Sequence, residues 1–218
     1  MEREILIETS ARHVHLSSAD KDQLFGQNYQ WQKLRDLSQP GMFAAAETVV
    51  LKNGAQEMVN VRVVGPEREK TQVELSLSDA KQLDIEPPLK MSGEWQEDEP
   101  AEITIIGPRG QIKIHGQAPL GFLFRSVFRL RQSPYLGITK KAVIIAQRHL
   151  HLNPTEAKEL NLTSGQTVKI AVNTGGRRLV FDDVACRVND DFKLACHLDT
   201  DEANAAGIEG NANGILII

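Results

Sequence analysis

Apolar and polar positions alternate with a period of two along several stretches of this chain. The alternation predicts half-buried strands. "ETVVLKNG" (Glu47–Gly54) and "QTVKIAVNTG" (Gln166–Gly175) both read this way, and each ends in a turn. "VNVRVVG" (Val59–Gly65) and "DDVACRVN" (Asp182–Asn189) follow them in the same order. "VELSLSDAKQLDI" (Val73–Ile85) and "CHLDTDEANAAGI" (Cys196–Ile208) then read as strand, helix cap, short helix and closing isoleucine. The same elements in the same order, twice, indicate an internal duplication. The predicted class is mainly β with short capping helices, in two similar pseudo-symmetric halves.

Helix signals repeat as well. Ser17 is a candidate N-cap with Asp20 three residues on; Asn153 is another, with Pro154 at N1 and Glu156 at N3. Leu24 and Leu160 fall at matching points of the two helices. Two stretches break the repeat. Half one carries about fifteen extra residues within "NYQWQKLRDLSQPGMFAAA" (Asn28–Ala46), with a turn at Pro40-Gly41. Between the halves lies "APLGFLFRSVFRLRQSPYLGI" (Ala118–Ile138). There Leu120, Leu123, Phe124, Val127 and Phe128 form an amphipathic helical stripe, and a strand reading fits in part. We expect it to pack on the core or at an interface between copies.

Composition narrows the class. The chain has 218 residues, 41% of them hydrophobic, enough for a sizeable core. A net charge of −4 gives no general reason to bind nucleic acid or an anionic membrane. No apolar run has transmembrane length and no signal peptide is evident, so no membrane association is expected. The 2 cysteines, Cys186 and Cys196, form no disulfide framework, so a reducing cytoplasm is expected. Charge is uneven, however. No acidic residue lies between Glu102 and Glu156, whereas Arg109, Lys113, Arg125, Arg129, Arg131, Lys140, Lys141 and Arg148 do. That run is either a solvated basic face or a place for a polyanion.

The chemistry concentrates in "SARHVHLS" (Ser10–Ser17) and "AQRHLHLN" (Ala146–Asn153), which use four of the six histidines. Alternate residues of a strand share a face, so His13 with His15, and His149 with His151, each aim two imidazoles at one point. Aligning Ala80 with Ala203 and Ile85 with Ile208 sets Glu74 opposite His197. Each half thus gains a third ligand: His13, His15 and Glu74 in one, His149, His151 and His197 in the other. Two such threes predict two metal ions. The donor set suits zinc, with iron, cobalt and manganese open. Three protein ligands leave a free position, as in catalytic zinc sites. Cys196, next to His197, faces the other way and reads as core. His115 has no counterpart and reads as structural.

Near these ligands, Arg68 sits six residues before Glu74, where a guanidinium could hold a phosphate or carboxylate. Arg12 and Arg148 precede the histidine pairs, alternate to the opposite face, and read as structural.

"SARHVHLS", "RDLSQPGMFAAAETV", "GPEREKTQVE", "RHLHLNP" and "HLDTDEANAAGI" together resemble the phosphate propanoyltransferase family, phosphotransacylases of bacterial microcompartments. The resemblance covers nearly the whole chain outside about Ala118–Thr139. It implies interconversion of acyl-CoA plus phosphate with acyl phosphate plus coenzyme A. It also implies two similar β-barrels with a dinuclear zinc site between them, the first strand of the second barrel coming from the N-terminus. The domains expected are then residues 12–117, residues 1–11 with 140–218, and an inserted connection at 118–139. The same six ligands and a phosphate-binding, catalytic Arg68 carry over by motif. Partners implied are coenzyme A, acyl phosphate, inorganic phosphate and further copies of the chain, as a homodimer or larger. The location implied is the bacterial cytoplasm or a microcompartment lumen. Encapsulated members usually carry an amphipathic N-terminal extension; nine residues precede Ser10, so delivery by that route is not expected.

Two other functions fit the ligands. A di-metal hydrolase of phosphoesters or thioesters would activate water at the same site. A non-catalytic, metal-stabilised scaffold would need no Arg68.

Overall fold

The computed structural model describes residues 2–94, 101–116 and 142–218. In chain order, the first half runs β1 (Glu2–Ser10), β2 (His13–His15), α1 (Ser18–Phe25), β3 (Lys33–Asp36), β4 (Phe43–Asn53), β5 (Gln56–Gly65), β6 (Gln72–Leu75), α2 (Leu77–Gln82), β7 (Leu89–Lys90), β8 (Ala101–Ile106) and β9 (Gln111–Gly116). The second runs β10 (Ala142–Ala146), β11 (His149–Leu152), α3 (Pro154–Glu159), β12 (Thr167–Val172), β13 (Leu179–Val188), β14 (Ala195–Asp199), α4 (Thr200–Ala205) and β15 (Asn211–Ile217). The fold is mainly β with short helices, as the alternation predicts.

Three of the four helices have six residues, too few to hold a helix unaided. Capping boxes hold them instead: Ser76 with Asp79, Asn153 with Glu156, Asp199 with Glu202. Ala80, Ala157 and Ala203 then bury their inner faces against the sheets. Ser17 caps α1 by accepting from the Asp20 amide.

Six strands close a barrel in the order β1-β14-β11-β13-β12-β15, with β15 returning to β1. Its core includes Ile7, Leu150, Ile170, Val184, Leu198 and Leu216. The backbone of β15 comes close at Gly214, where a Cβ would collide with Ile7. The remaining strands form one curled sheet, β7-β10-β6-β2-β5-β4-β8-β9, with β3 on β4. Its ends approach, β9 lying alongside β10, without closing by a ladder among the described residues. The two barrel-like units expected are therefore one closed barrel and one curled sheet around a second core, which includes Val14, Val49, Val63, Val73 and Ile103.

The halves exchange a strand. β1 lies in the closed barrel, parallel to β14 from Leu6↔Ala195 to Ser10↔Asp199. β10 does the converse: it runs parallel to β6 and to β7 in the curled sheet, and Val143 joins that core. The division at residue 140 assigns β10 to half two, so here the structure differs. Val143 and Ile144 are both buried, and β6 offers β10 its free edge.

A second difference concerns the stretch Asn28–Ala46, where the sequence marks only a turn. Its residues Lys33–Asp36 form β3, an exposed edge strand on β4. Gly41 adopts φ 77° at the Pro40-Gly41 turn. The amphipathic segment 118–139 lies outside the described residues, as does the side chain of His115. Arg109, Lys113 and Arg148 of the basic run are described, and Arg148 is committed to an ion pair with Glu202 at 2.6 Å. Among the described residues no helix is long and apolar enough to cross a membrane.

Because Ile7 is fully buried in the barrel core, Ile7→Ala is expected to destabilise the protein by about 2–5 kcal/mol in chemical denaturation. Amide protection should fall first in β14 and β15, which flank β1. Loss confined to the curled sheet would contradict the exchange.

Candidate functional site

The exchange brings the two Arg-His-x-His segments to the seam. In the curled sheet, β2 lies between β5 and β6, with His13 opposite Glu74. In the barrel, β11 lies between β13 and β14, with His149 opposite His197. The structure thus gathers His13, His15 and Glu74 in one group and His149, His151 and His197 in another, the ligand atoms of each within 4.8 Å of one another. Both groups line one cavity of about 410 Å³ between the halves.

Hydrogen bonds fix the imidazoles. The Nδ1–H of His13 donates to the Ala11 carbonyl at 2.8 Å, that of His15 to the Val64 carbonyl at 3.1 Å, and that of His149 to the Gln147 carbonyl at 2.7 Å. These partners assign the proton of each neutral ring to Nδ1 and leave Nε2 as a lone pair. The Nε2 atoms of His13 and His15 then face each other at 3.1 Å, and those of His149 and His151 at 2.8 Å. In the His13–His15 pair the facing lone pairs repel unless a cation lies between them. The Nδ1 of His151 is buried without a partner among the described residues. Nitrogen-rich groups of this kind fit a borderline divalent metal such as zinc.

Charge is tuned to the same end. Burial, with Arg68 and His13 beside it, holds His15 well below its usual range. Burial likewise pulls His149 down to about 3 and lowers His151 further. All three are neutral near pH 7, the form that binds metal. Burial opposes ionisation of Glu74, but His13, His15, Arg68 and a hydrogen bond from Ser92 outweigh it and hold it at about 2.

Arg68 is anchored by its backbone, whose N–H donates to the Leu16 carbonyl at 3.0 Å. Its Nη1 reaches Gln72 at 3.3 Å, the Ser92 hydroxyl at 3.2 Å and Glu74 at 3.5 Å. Arg12 and Arg148 turn away from the cavity's ligands, as their strand position predicts. Arg12 pairs with Asp79 at 2.8 Å and Arg148 with Glu202. In each half this arginine grips the N3 acid of the helix that follows the third-ligand strand. The two cysteines belong to the barrel core. Burial pushes the Cys186 thiol up to about 11 and the Cys196 thiol higher still, so neither serves as a nucleophile near neutral pH.

Several residues at the cavity escaped the sequence reading. Ser92, in the turn after β7, donates to the Glu74 carboxylate; only a Ser-Gly pair marked that turn. Glu8 accepts from His197 Nε2 at 3.1 Å and from the Ser38 hydroxyl. Glu8 faces His197 across β1 and β14 as Ile144 faces Glu74 across β10 and β6. A glutamate against an isoleucine at matched positions was a readable signal. Gln39, from the long half-one segment, donates to the Lys193 carbonyl and accepts from the Lys193 amide, both at 3.1 Å. That segment therefore crosses the seam and braces Glu8. Finally Arg187 lines the cavity where the aligned strand of half one has Val64.

A family model described as phosphate propanoyltransferase matches residues 6–119 and 133–209. Among curated proteins, a phosphate propanoyltransferase of Thermotoga maritima is 42% identical over 202 residues, covering 93% of this chain and 83% of its own. One of Shewanella putrefaciens is 39% identical over 210 residues, covering 96% and 86%. One of Citrobacter freundii is 38% identical over 208 residues, covering 95% and 86%.

The depressed histidines make chelator-treated protein acid-labile. An unfolded chain takes up a proton at the ordinary value of 6.5, whereas folded His149 resists until about 3. Their contribution to stability is full above pH 6.5 and is lost as pH falls toward 3. Denaturation midpoints of metal-free protein should drop steadily from about pH 7.5 to about pH 5. A flat profile over that range would contradict the burial assigned to these rings.

Proposed function

The chain belongs to the phosphate propanoyltransferase family, and from that membership we propose that it interconverts short-chain acyl-CoA plus phosphate with acyl phosphate plus coenzyme A. The observation that carries this reading is the seam itself. Two ligand groups and Arg68 meet at one cavity that also reaches solvent-accessible residues such as Arg35 and Asn211. We propose that the six side chains hold two divalent ions, zinc in the first place. Such ions, when bound, supply Lewis acidity that favours the thiolate of coenzyme A and polarises the acyl carbonyl.

The chain's own residues bind and orient. Among the described residues the polar contacts of the Arg68 guanidinium all run through Nη1. Its Nη2 and Nε donors are left for phosphoryl oxygens. Ser92 and Gln72 fix the plane of that fork, a preorganised arrangement that needs no rearrangement as charge develops. The coenzyme A sulfur attacks the acyl carbon of the acyl phosphate. A C–S bond forms, the C–O bond to phosphate breaks, and its electron pair leaves on the phosphate. The thiol proton ends on the departing phosphate. With both cysteine thiols buried in the core, and the Ser38 and Ser92 hydroxyls donating to carboxylates, transfer is direct, without an acyl-enzyme. Propanoyl and acetyl groups differ by one methylene, worth only about 1 kcal/mol in an apolar pocket, so both are expected substrates. The cytoplasm or a microcompartment lumen, and a homo-oligomeric state, complete the proposal.

Acyl phosphates of increasing chain length, supplied with coenzyme A, should yield acyl-CoA, and prior chelation should abolish the activity. Elemental analysis should find two ions per chain. Arg68→Ala should lower kcat/KM by roughly 10²–10³-fold with metal content unchanged. Phosphate release independent of coenzyme A would establish the hydrolase instead, and inactivity of metal-loaded protein the scaffold.

A further inference from the structure

Arg187 has no role in the reading above, yet it is placed at the seam. It lies on β13 with His151 as its neighbour across the ladder to β11. It is half-buried and lines the main cavity. It also lines an adjoining cavity of about 330 Å³, and Arg68 and Ser92 border both spaces with it. Its guanidinium carbon stands 5.3 Å from the centre of the Phe192 ring, and that ring packs edge-on against His151 at 4.1 Å. This cation–π contact holds the guanidinium against the ring without using its N–H donors.

Those donors are unmet. Arg12, Arg62, Arg68 and Arg148 each make hydrogen bonds or ion pairs. Arg187 makes neither among the described residues. Burial lowers Arg68 below its ordinary value; Glu74 offsets part of this, and the charge of Arg187 adds to it, while Arg187 itself is only partly compensated by Glu74 and Glu94 against its burial. Two guanidiniums facing one partly buried space cost free energy, and an anion between them relieves it. No such pair exists by symmetry, because the position of half one that matches Arg187 is Val64.

We infer that Arg187 is a second phosphate-binding residue, which grips the phosphoryl group of the acyl phosphate from the barrel side while Arg68 grips it from the curled sheet. This rests on the phosphotransacylase reading. A phosphoryl group presents three terminal oxygens, enough for a fork on each flank. Each half of the duplication then contributes one arginine to one anion.

The test uses the full-length, metal-loaded chain, with Arg187→Gln and Arg187→Lys. Initial rates are measured with acetyl phosphate and coenzyme A varied separately, together with product inhibition by inorganic phosphate and metal content. For Arg187→Gln, KM for acetyl phosphate and the inhibition constant of phosphate should both rise about 10- to 100-fold. KM for coenzyme A should stay within about twofold and metal content should be unchanged. Arg187→Lys, which keeps the charge but not the fork, should recover part of the loss; it also serves should the glutamine variant fail to fold. A rise in KM for coenzyme A alone would overturn the proposal in favour of a contact to the phosphates of that substrate. Unchanged constants in both variants would also overturn it. Absence of acyl transfer by the unsubstituted chain would instead overturn the underlying reading.

Discussion

The architecture depends on a reciprocal exchange of two parallel strand pairings. β1 hydrogen-bonds to β14 in the barrel, and β10 to β6 in the curled sheet. Each then crosses the seam within two residues, Ala11-Arg12 on one side and Gln147-Arg148 on the other, to start the histidine strand of its own half. Crossings so short leave no slack. They fix both histidine pairs at the seam, and the crossing backbone itself supplies the Ala11 and Gln147 carbonyls that accept from His13 and His149. The arginine at each crossing ties down the next helix of its half. Topology, ring orientation and helix capping are therefore one connected constraint.

On that frame the halves diverge in charge. The curled sheet supplies a carboxylate, Glu74, steadied by Ser92 and Arg68. The barrel supplies a third imidazole, His197, and borrows a carboxylate from the exchanged strand, Glu8, itself braced by Ser38. Each group thus has one carboxylate and one nearby arginine, reached by different routes. With two divalent cations bound, this seam would hold a marked excess of positive charge, suited to a phosphorylated substrate and to coenzyme A.

Much of this was legible in the sequence. The duplication showed in repeated alternation and matched caps, and one alignment sufficed to place Glu74 beside His197 in register. The exchange of β10 did not show, because "AVIIA" is apolar throughout and lacks the period that would assign a face. β3 did not show because all four of its residues are exposed, so no core face marks it. Ser92 and Glu8 act only through partners brought in by tertiary pairing, which no local pattern encodes. Arg187 was visible in principle, as an arginine aligned with a valine, but its meaning needed the cavity that Arg68 shares.

The strand exchange also sets the order in which the chain can fold during synthesis. Residues 2–10 are made before the rest of the described fold, yet their place lies between β14 and β15, the last two of its strands in sequence. The curled sheet likewise lacks β10, the strand between β7 and β6, until synthesis has entered the second half. Neither half is a self-sufficient unit that matures while the other is awaited. The two must settle together, with contacts of very long sequence separation closing last. A nascent chain therefore carries β1, with its core side chains Ile5 and Ile7, without its partners until β14 and β15 have been made, a vulnerable interval imposed by the same crossing that builds the seam.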